Sequence, residues 1–205
     1  MTLPQSAITE RLSQQLAFIT EIDRLKSVLR RTLLQDGSRV ENSAEHSWHL
    51  AMMALVLLEY APEGTDLSHT VKILLVHDIV EIEAGDTFAY DAEANLDKDA
   101  RERAAADSLF GLLPSPQGLE LRALWDEFEA GETNEARFAN ALDRLQPFWH
   151  NLHTQGGTWR IYTVTKPQVL ARMEPISRGL PELWPVVQGL VDEAVAAGIL
   201  AEGNE

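Results

Sequence analysis

The chain has 205 residues, 45% hydrophobic and 24% charged, a balance that suits a globular core and excludes a disordered or fibrous protein. Its 32 acidic and 17 basic side chains leave a net charge of −15, which argues against DNA or RNA as partners, because such surfaces neutralise phosphates with Lys and Arg. Cysteine is absent, so disulfides, thiolate metal sites and cysteine nucleophiles are excluded together, and any metal must be held by imidazole and carboxylate.

Against a typical domain of ~150 residues, the length predicts one domain over residues 1–205. Residues 1–9 lack the basic and apolar regions of a secretory signal. The longest strongly apolar run, residues 50–58, is far short of the ~20 residues that span a membrane, so a cytoplasmic protein with no membrane partner is expected. Leu12, Leu16, Ile19, Ile22 and Leu25 recur at helical spacing and predict a first helix. Asp36-Gly37-Ser38 makes a turn, and an extended stretch then leads to Ser43, which is read as the N-cap of a second helix ending near Tyr60. A third helix is predicted over residues 68–84, apolar nearly all round and therefore central, with Gly85 at its C-terminal end.

Residues 91–113 read as a charged surface helix with Ala104, Leu109, Leu112 and Leu113 inward. Two more helices follow at 119–129 and 133–152, the second carrying Phe138, Leu142, Leu145 and Trp149 as a core stripe and kinked at Pro147. Gly156-Gly157 is a loop, and the last helices cover 166–173 and 183–197. Strand signals are nearly absent, so the fold class is all-α.

The chemistry gathers in three places. His77, Asp78 and Glu81 lie in the most apolar helix, with His77 and Glu81 on one face at i, i+4. Burying three ionisable groups there is costly unless something pairs with them: a divalent cation, core hydrogen bonds or an inter-helix salt bridge. Glu45-His46 and His49 open the second helix, with His49 read as core packing. Asp143 lies at the margin of its stripe, where Arg144 or Arg137 would pair with it. His69 is read as solvated, and a second site at His150 and His153 is disfavoured. Trp125, Trp149, Trp159 and Trp184 are read as core or interface aromatics, and Trp48 as helix packing beside the site.

The order His46, then His77-Asp78 after 31 residues, then Asp143 after 65 more, resembles the HD-domain superfamily of metal-dependent phosphohydrolases. The branch it resembles holds the bacterial 5′-deoxynucleotidases and their eukaryotic relatives. The matching segments are Arg24-Leu25-Lys26, Arg39 to Ser47, His77-Asp78-Ile79-Val80-Glu81, Gly85-Asp86-Thr87 and Ala141 to Leu145. The resemblance implies a helical bundle around a buried metal centre, with His46, His77, Asp78 and Asp143 as ligands of one divalent ion (Mn, Co, Mg, Zn, Ni or Fe). It also implies that Glu81 and Asp86 handle protons and that Arg30, or its neighbour Arg31, contacts the substrate phosphate. Arg31 stands where the best-known bacterial members have an aromatic residue, and Phe88-Ala89-Tyr90 replaces their proline-containing stretch.

The implied activity is hydrolysis of a (deoxy)nucleoside 5′-monophosphate to nucleoside and phosphate, by a homodimer. The alternatives are another HD phosphodiesterase, a nucleotide pyrophosphohydrolase, or a metal-binding regulator or scaffold without turnover. The stretch from Leu190 to Leu200 is expected either to make the dimer interface or to close the core.

Overall fold

The computed structural model describes residues 9–91 and 93–203; apart from Thr9, the segment examined for a secretory signal lies outside them. The fold is mostly helical, as expected. Helix α1 (Glu10–Ile22) starts at Thr9, whose hydroxyl accepts from the Leu12 amide, and a 3-10 turn at Asp23–Ser27 follows. The chain then departs from the all-helical expectation, for β1 (Leu29–Leu33) pairs antiparallel with β2 (Val40–Asn42). These strands are too short and too polar to show an alternating apolar pattern. The register slips between Leu29 and Leu33, and exposure alternates along β1, so Arg30 and Thr32 turn inward while Arg31 faces out.

Helix α2 (Ser43–Leu57) is capped by Asn42, one residue earlier than the sequence reading placed the cap. Asn42 Oδ1 accepts from the Glu45 amide at 2.9 Å, and Glu45 Oε2 accepts from the Asn42 amide at 3.2 Å. This reciprocal pair frees Ser43, whose hydroxyl donates instead to Glu81 Oε2 at 2.6 Å. One face of α2 is buried through His46, Leu50 and Ala54. The opposite face carries Trp48, Met52, Leu55 and Val56 at helical spacing, all exposed. Trp48 is 64% exposed and does not pack beside the site.

The third predicted helix is not continuous. Helix α3 (Leu67–Val76) stops just before His77, and α4 (Glu81–Ala84) resumes after it. Between them the amides of Ile79, Glu81 and Ile82 bond three residues back, to Val76, Asp78 and Ile79. The chain thus tightens to about three residues per turn without any Pro or Gly to announce it. Gly85, at φ +76, ends α4 in a conformation that side chains rarely adopt.

Helix α5 (Lys98–Phe110) is shorter than predicted and buries Ala105, Ala106 and Leu109, leaving Ala104 and Leu112 exposed. Helix α6 (Gln117–Ala130) leads to α7 (Asn134–His153), which passes through Pro147. The predicted glycine loop instead starts α8 (Gly157–Ile161), followed by α9 (Lys166–Met173), α10 (Ile176–Gly179) and α11 (Trp184–Ala196). The spine is α7, not α3, and it packs against α2, α3, α6 and α10. Phe138, Leu142 and Phe148 are fully buried along it, each worth ~1.5–3 kcal/mol against exposure. Trp149, placed in that stripe by the sequence, is 43% exposed.

Gly179 lets α10 approach closely, since a Cβ there would meet the Arg137 carbonyl oxygen at 2.0 Å and Ala141 Cβ at 2.7 Å. Val191, Ala194 and Leu200 are buried, so the stretch from Leu190 to Leu200 closes the core. Among the described residues, no helix is long and apolar enough to cross a membrane.

Candidate metal centre

Three elements bring His46 (α2), His77 (the tight turn after α3) and Asp143 (α7) together. One donor atom from each lies within 4.8 Å of the other two, and all three residues are buried. His46 Nε2 is 2.9 Å from Asp143 Oδ1, and His77 Nε2 is 3.9 Å from the same oxygen. The His77 ring packs against Phe128, centroid to centroid at 4.7 Å.

Both imidazoles are fixed from behind. His77 Nδ1 lies 2.8 Å from the Leu74 carbonyl oxygen, which can only accept, so Nδ1 carries the proton and Nε2 keeps a lone pair. That Nε2 is buried and makes no hydrogen bond. His46 Nδ1 lies 3.1 Å from Gln146 Oε1, and Gln146 Nε2 donates to Glu41 Oε2 at 2.8 Å. Because a carboxylate only accepts, the amide nitrogen must face Glu41, and its oxygen must face His46. His77 Nε2, orphaned and with its lone pair outward, a second imidazole whose Nε2 faces the Asp143 carboxylate, and that carboxylate make a donor set that fits a divalent cation, which would take the place of a proton on His46.

Asp78 sits beside this group. Its Oδ1 is 3.0 Å from His77 Nε2, while its Oδ2 accepts from Arg30 Nη1 at 2.8 Å. In the tightened turn Asp78 and Glu81, three residues apart, approach the same guanidinium, and His77 Nε2 lies between Asp78 and Asp143. The turn thus brings Asp78 and Glu81 together on Arg30. Arg30 enters from β1 and lies within 4 Å of Asp78, Glu81, Asp86, Asp143 and Glu41. Arg31 is exposed and stands 5.9 Å from the Tyr162 ring centre.

Burial and crowding divide the charges. Burial first, then Asp78, raises the Glu81 carboxyl well above its ordinary value, against the pull of Arg30 and Ser43. Burial likewise raises Asp86, helped by Asp78 and Asp143. Asp143 is held well below its ordinary value despite burial, by Arg144 and His46. Burial and Arg30 oppose charge on His46, yet Asp143, Glu41 and Asp78 raise its pKa to about 9. Burial lowers His77. Against burial, the neighbouring carboxylates strengthen the hold of Arg30 on its proton.

The group opens on a cavity of about 250 Å³, lined by Arg30, Asp86, Tyr90, Arg144 and Arg172 among others. Glu41, Gln146 and Arg172 were not singled out by the sequence, and Ser43 was read only as a helix cap; Glu41 and Ser43 lay in a recognisable segment, but spacing gave no sign of their partners. His49 is half-buried, 3.4 Å from Gln146 Nε2. His69 is not free but paired with Glu127 at 2.7 Å. His150 Nδ1 is 2.9 Å from the Leu33 carbonyl and His153 Nδ1 is 2.8 Å from that of Trp149, so neither joins Asp143. Trp125 and Trp159 are core residues, and Trp184 packs against the core.

Comparison with known proteins agrees with this geometry. The 5′-deoxynucleotidase HDDC2 of Bos taurus is 32% identical over 64% of this chain and 63% of its own length. The human protein of that name is 30% identical over the same shares, so the chain spans about 63% of these curated relatives. A crystal structure of a predicted metal-dependent phosphohydrolase from Magnetospirillum magnetotacticum MS-1 superposes with a TM-score of 0.90 at 52% identity, covering 98% of this chain and 100% of that one. A conserved hypothetical protein from Pyrococcus furiosus shares the fold, at a TM-score of 0.60 and 22% identity over 85% of this chain and 99% of its own. The HD domain profile matches residues 22–184, a span holding every residue of the cluster, and the chain belongs to the HD domain family.

Proposed function

We propose that this protein is a metal-dependent phosphomonoesterase that converts (deoxy)nucleoside 5′-monophosphates to nucleoside and phosphate. The observation that carries this reading is the His46–His77–Asp143 group, buried and proton-poor at His77 Nε2, opening on a cavity with both guanidinium and aromatic lining. The names of the relatives support the same substrate class.

His46, His77 and Asp143 would hold the ion, with Asp78 Oδ1 completing the set from its place beside His77. When bound, a divalent cation neutralises charge on phosphoryl oxygens and makes water more acidic. Which of Mn, Co, Mg, Zn, Ni and Fe is used depends on supply as much as on this donor set. Water attack at phosphorus releases one proton, and the departing 5′ oxygen needs one. Glu81 and Asp86, whose pKa values are both raised from the ordinary carboxylate range, divide these transfers: the one that is ionised takes the proton from water and the one that is protonated supplies the 5′ oxygen. Ser43 fixes the Glu81 carboxyl through its 2.6 Å hydrogen bond. Arg30 lines the cavity from within the carboxylate cluster, and Arg31 stands at its rim.

We propose further that residues 1–205 form one HD domain, that the protein is cytoplasmic, and that it acts on small molecules, with no membrane or polynucleotide partner. A homodimer is supported by the exposed apolar face of α2, where Trp48, Met52, Leu55 and Val56 would otherwise meet water. The test of the activity is phosphate release from a panel of nucleoside monophosphates with Mn²⁺, Co²⁺ or Mg²⁺, for the parent and Asp78→Ala. The parent should turn over at least one of them, and the variant should lose roughly 100-fold or more. Equal release by the two would remove the metal-centred reading. Tight metal binding without turnover of any phosphate ester would leave a regulator.

A further inference from the structure

Arg30 is poorly placed to hold a phosphate alone. Its guanidinium donates to Asp78 at 2.8 Å and lies 3.6–3.9 Å from Glu41, Glu81, Asp86 and Asp143. A cation so engaged must give up carboxylate contacts to gain a phosphate.

A different pair of guanidiniums lines the same cavity, one with a single carboxylate partner and the other with none among the described residues. Arg144 touches Asp143 Oδ2 through Nη1, but its Nε is buried and has no hydrogen-bond partner. Arg172, in the last turn of α9, makes no ion pair or side-chain hydrogen bond among the described residues. Burial first, and the Arg144 charge second, depress its pKa to about 10. Two like charges facing one cavity repel each other, and an anion between them removes that cost. Asp143 supplies the geometry: its Oδ1 faces His46 Nε2 at 2.9 Å and its Oδ2 faces Arg144, so the arginine pair begins one carboxylate away from the imidazoles.

We infer that Arg144 and Arg172 form a phosphate clamp for the dianionic phosphoryl group of a phosphomonoester, and that Arg30 serves mainly to position the carboxylates. This rests on the phosphomonoesterase reading for its substrate class, but the anion site itself does not depend on turnover. A guanidinium pair offers several N–H donors in fixed forks, which matches the oxygens of a phosphoryl group better than a single cation does.

The test uses inorganic phosphate, titrated calorimetrically into the full chain with and without Mg²⁺, for the parent, Arg172→Met and Arg172→Lys. The clamp predicts that the parent binds phosphate, that Arg172→Met weakens it about tenfold or more, and that Arg172→Lys recovers part of the loss. In turnover, Arg172→Met should raise KM for the best nucleotide more than it lowers kcat. Equal phosphate affinity in the parent and a folded Arg172→Met, or no phosphate binding by the parent, would overturn the clamp. If the clamp residues bind phosphate as predicted while no nucleoside monophosphate is hydrolysed, the clamp stands and the proposed activity falls.

Discussion

Gln146 holds His46 by its amide oxygen, 3.1 Å from Nδ1, while its amide nitrogen is spent on Glu41 at 2.8 Å. The arrangement dictates which imidazole nitrogen is left for a metal, and it comes from a residue one turn beyond Asp143 on the same helix.

Gln146→Leu therefore should weaken metal binding 10–100-fold, the usual cost of losing a partner behind a ligating histidine. The protein should also lose about 1–3 kcal/mol of stability, because Glu41 is left with an unmet buried oxygen. Metal titration and thermal melting of the variant check both. Unchanged metal affinity in a folded variant would mean that Gln146 does not orient His46.

The hydrogen bond from Ser43 favours the ionised form of Glu81. Its removal in Ser43→Ala should push the Glu81 pKa further up, so the limb of the kcat/KM profile due to Glu81 should move to higher pH. A profile that superposes on the parent's would show that Glu81 does not titrate in the rate.

His46 and Glu41 make stability depend on pH in opposite senses. The Glu41 carboxyl lies below its ordinary 4.5 because, against burial, His46, Arg30 and Gln146 favour its charge. It therefore stabilises the fold above that value, and the contribution is lost as the pH falls through the lowered pKa. His46, raised from 6.5 to about 9, stabilises below 6.5 and loses its contribution as the pH rises through about 9. In chelator, melting temperatures of the parent should drop on both sides of that window, and Glu41→Gln should give a flatter curve. Parallel curves would contradict the pairing.

At Gly179, an added methyl would run into the Arg137 carbonyl and Ala141. Gly179→Ala should cost about 1–3 kcal/mol, the range for overpacking, or more because backbone is involved. A melting temperature equal to the parent's would show that α10 can move off α7 freely.

In the sequence only His77, Asp78 and Glu81 stood out as ionisable groups in an apolar helix; His46 and Asp143 joined them through the order of motifs shared with the HD-domain superfamily. Most of the core stripe of α7 (Phe138, Leu142 and Leu145) was legible because local spacing sets it. What escaped was held by distant partners or by backbone detail. Asn42 displaced Ser43 as the cap because Glu45 completes a reciprocal pair with it. The break at His77 has no Pro or Gly to mark it, and the β1–β2 pair is too short to have a period. Gln146 and Arg172 acquire meaning only when α7 and α9 bring them to His46 and to the cavity.

The most direct test is an anomalous scattering map from crystals of the full chain soaked in Mn²⁺. One peak should lie about 2.0–2.3 Å from Nε2 of His46, Nε2 of His77 and carboxylate oxygens of Asp143 and Asp78. A peak elsewhere, or none between these side chains at saturating Mn²⁺, would contradict the metal centre.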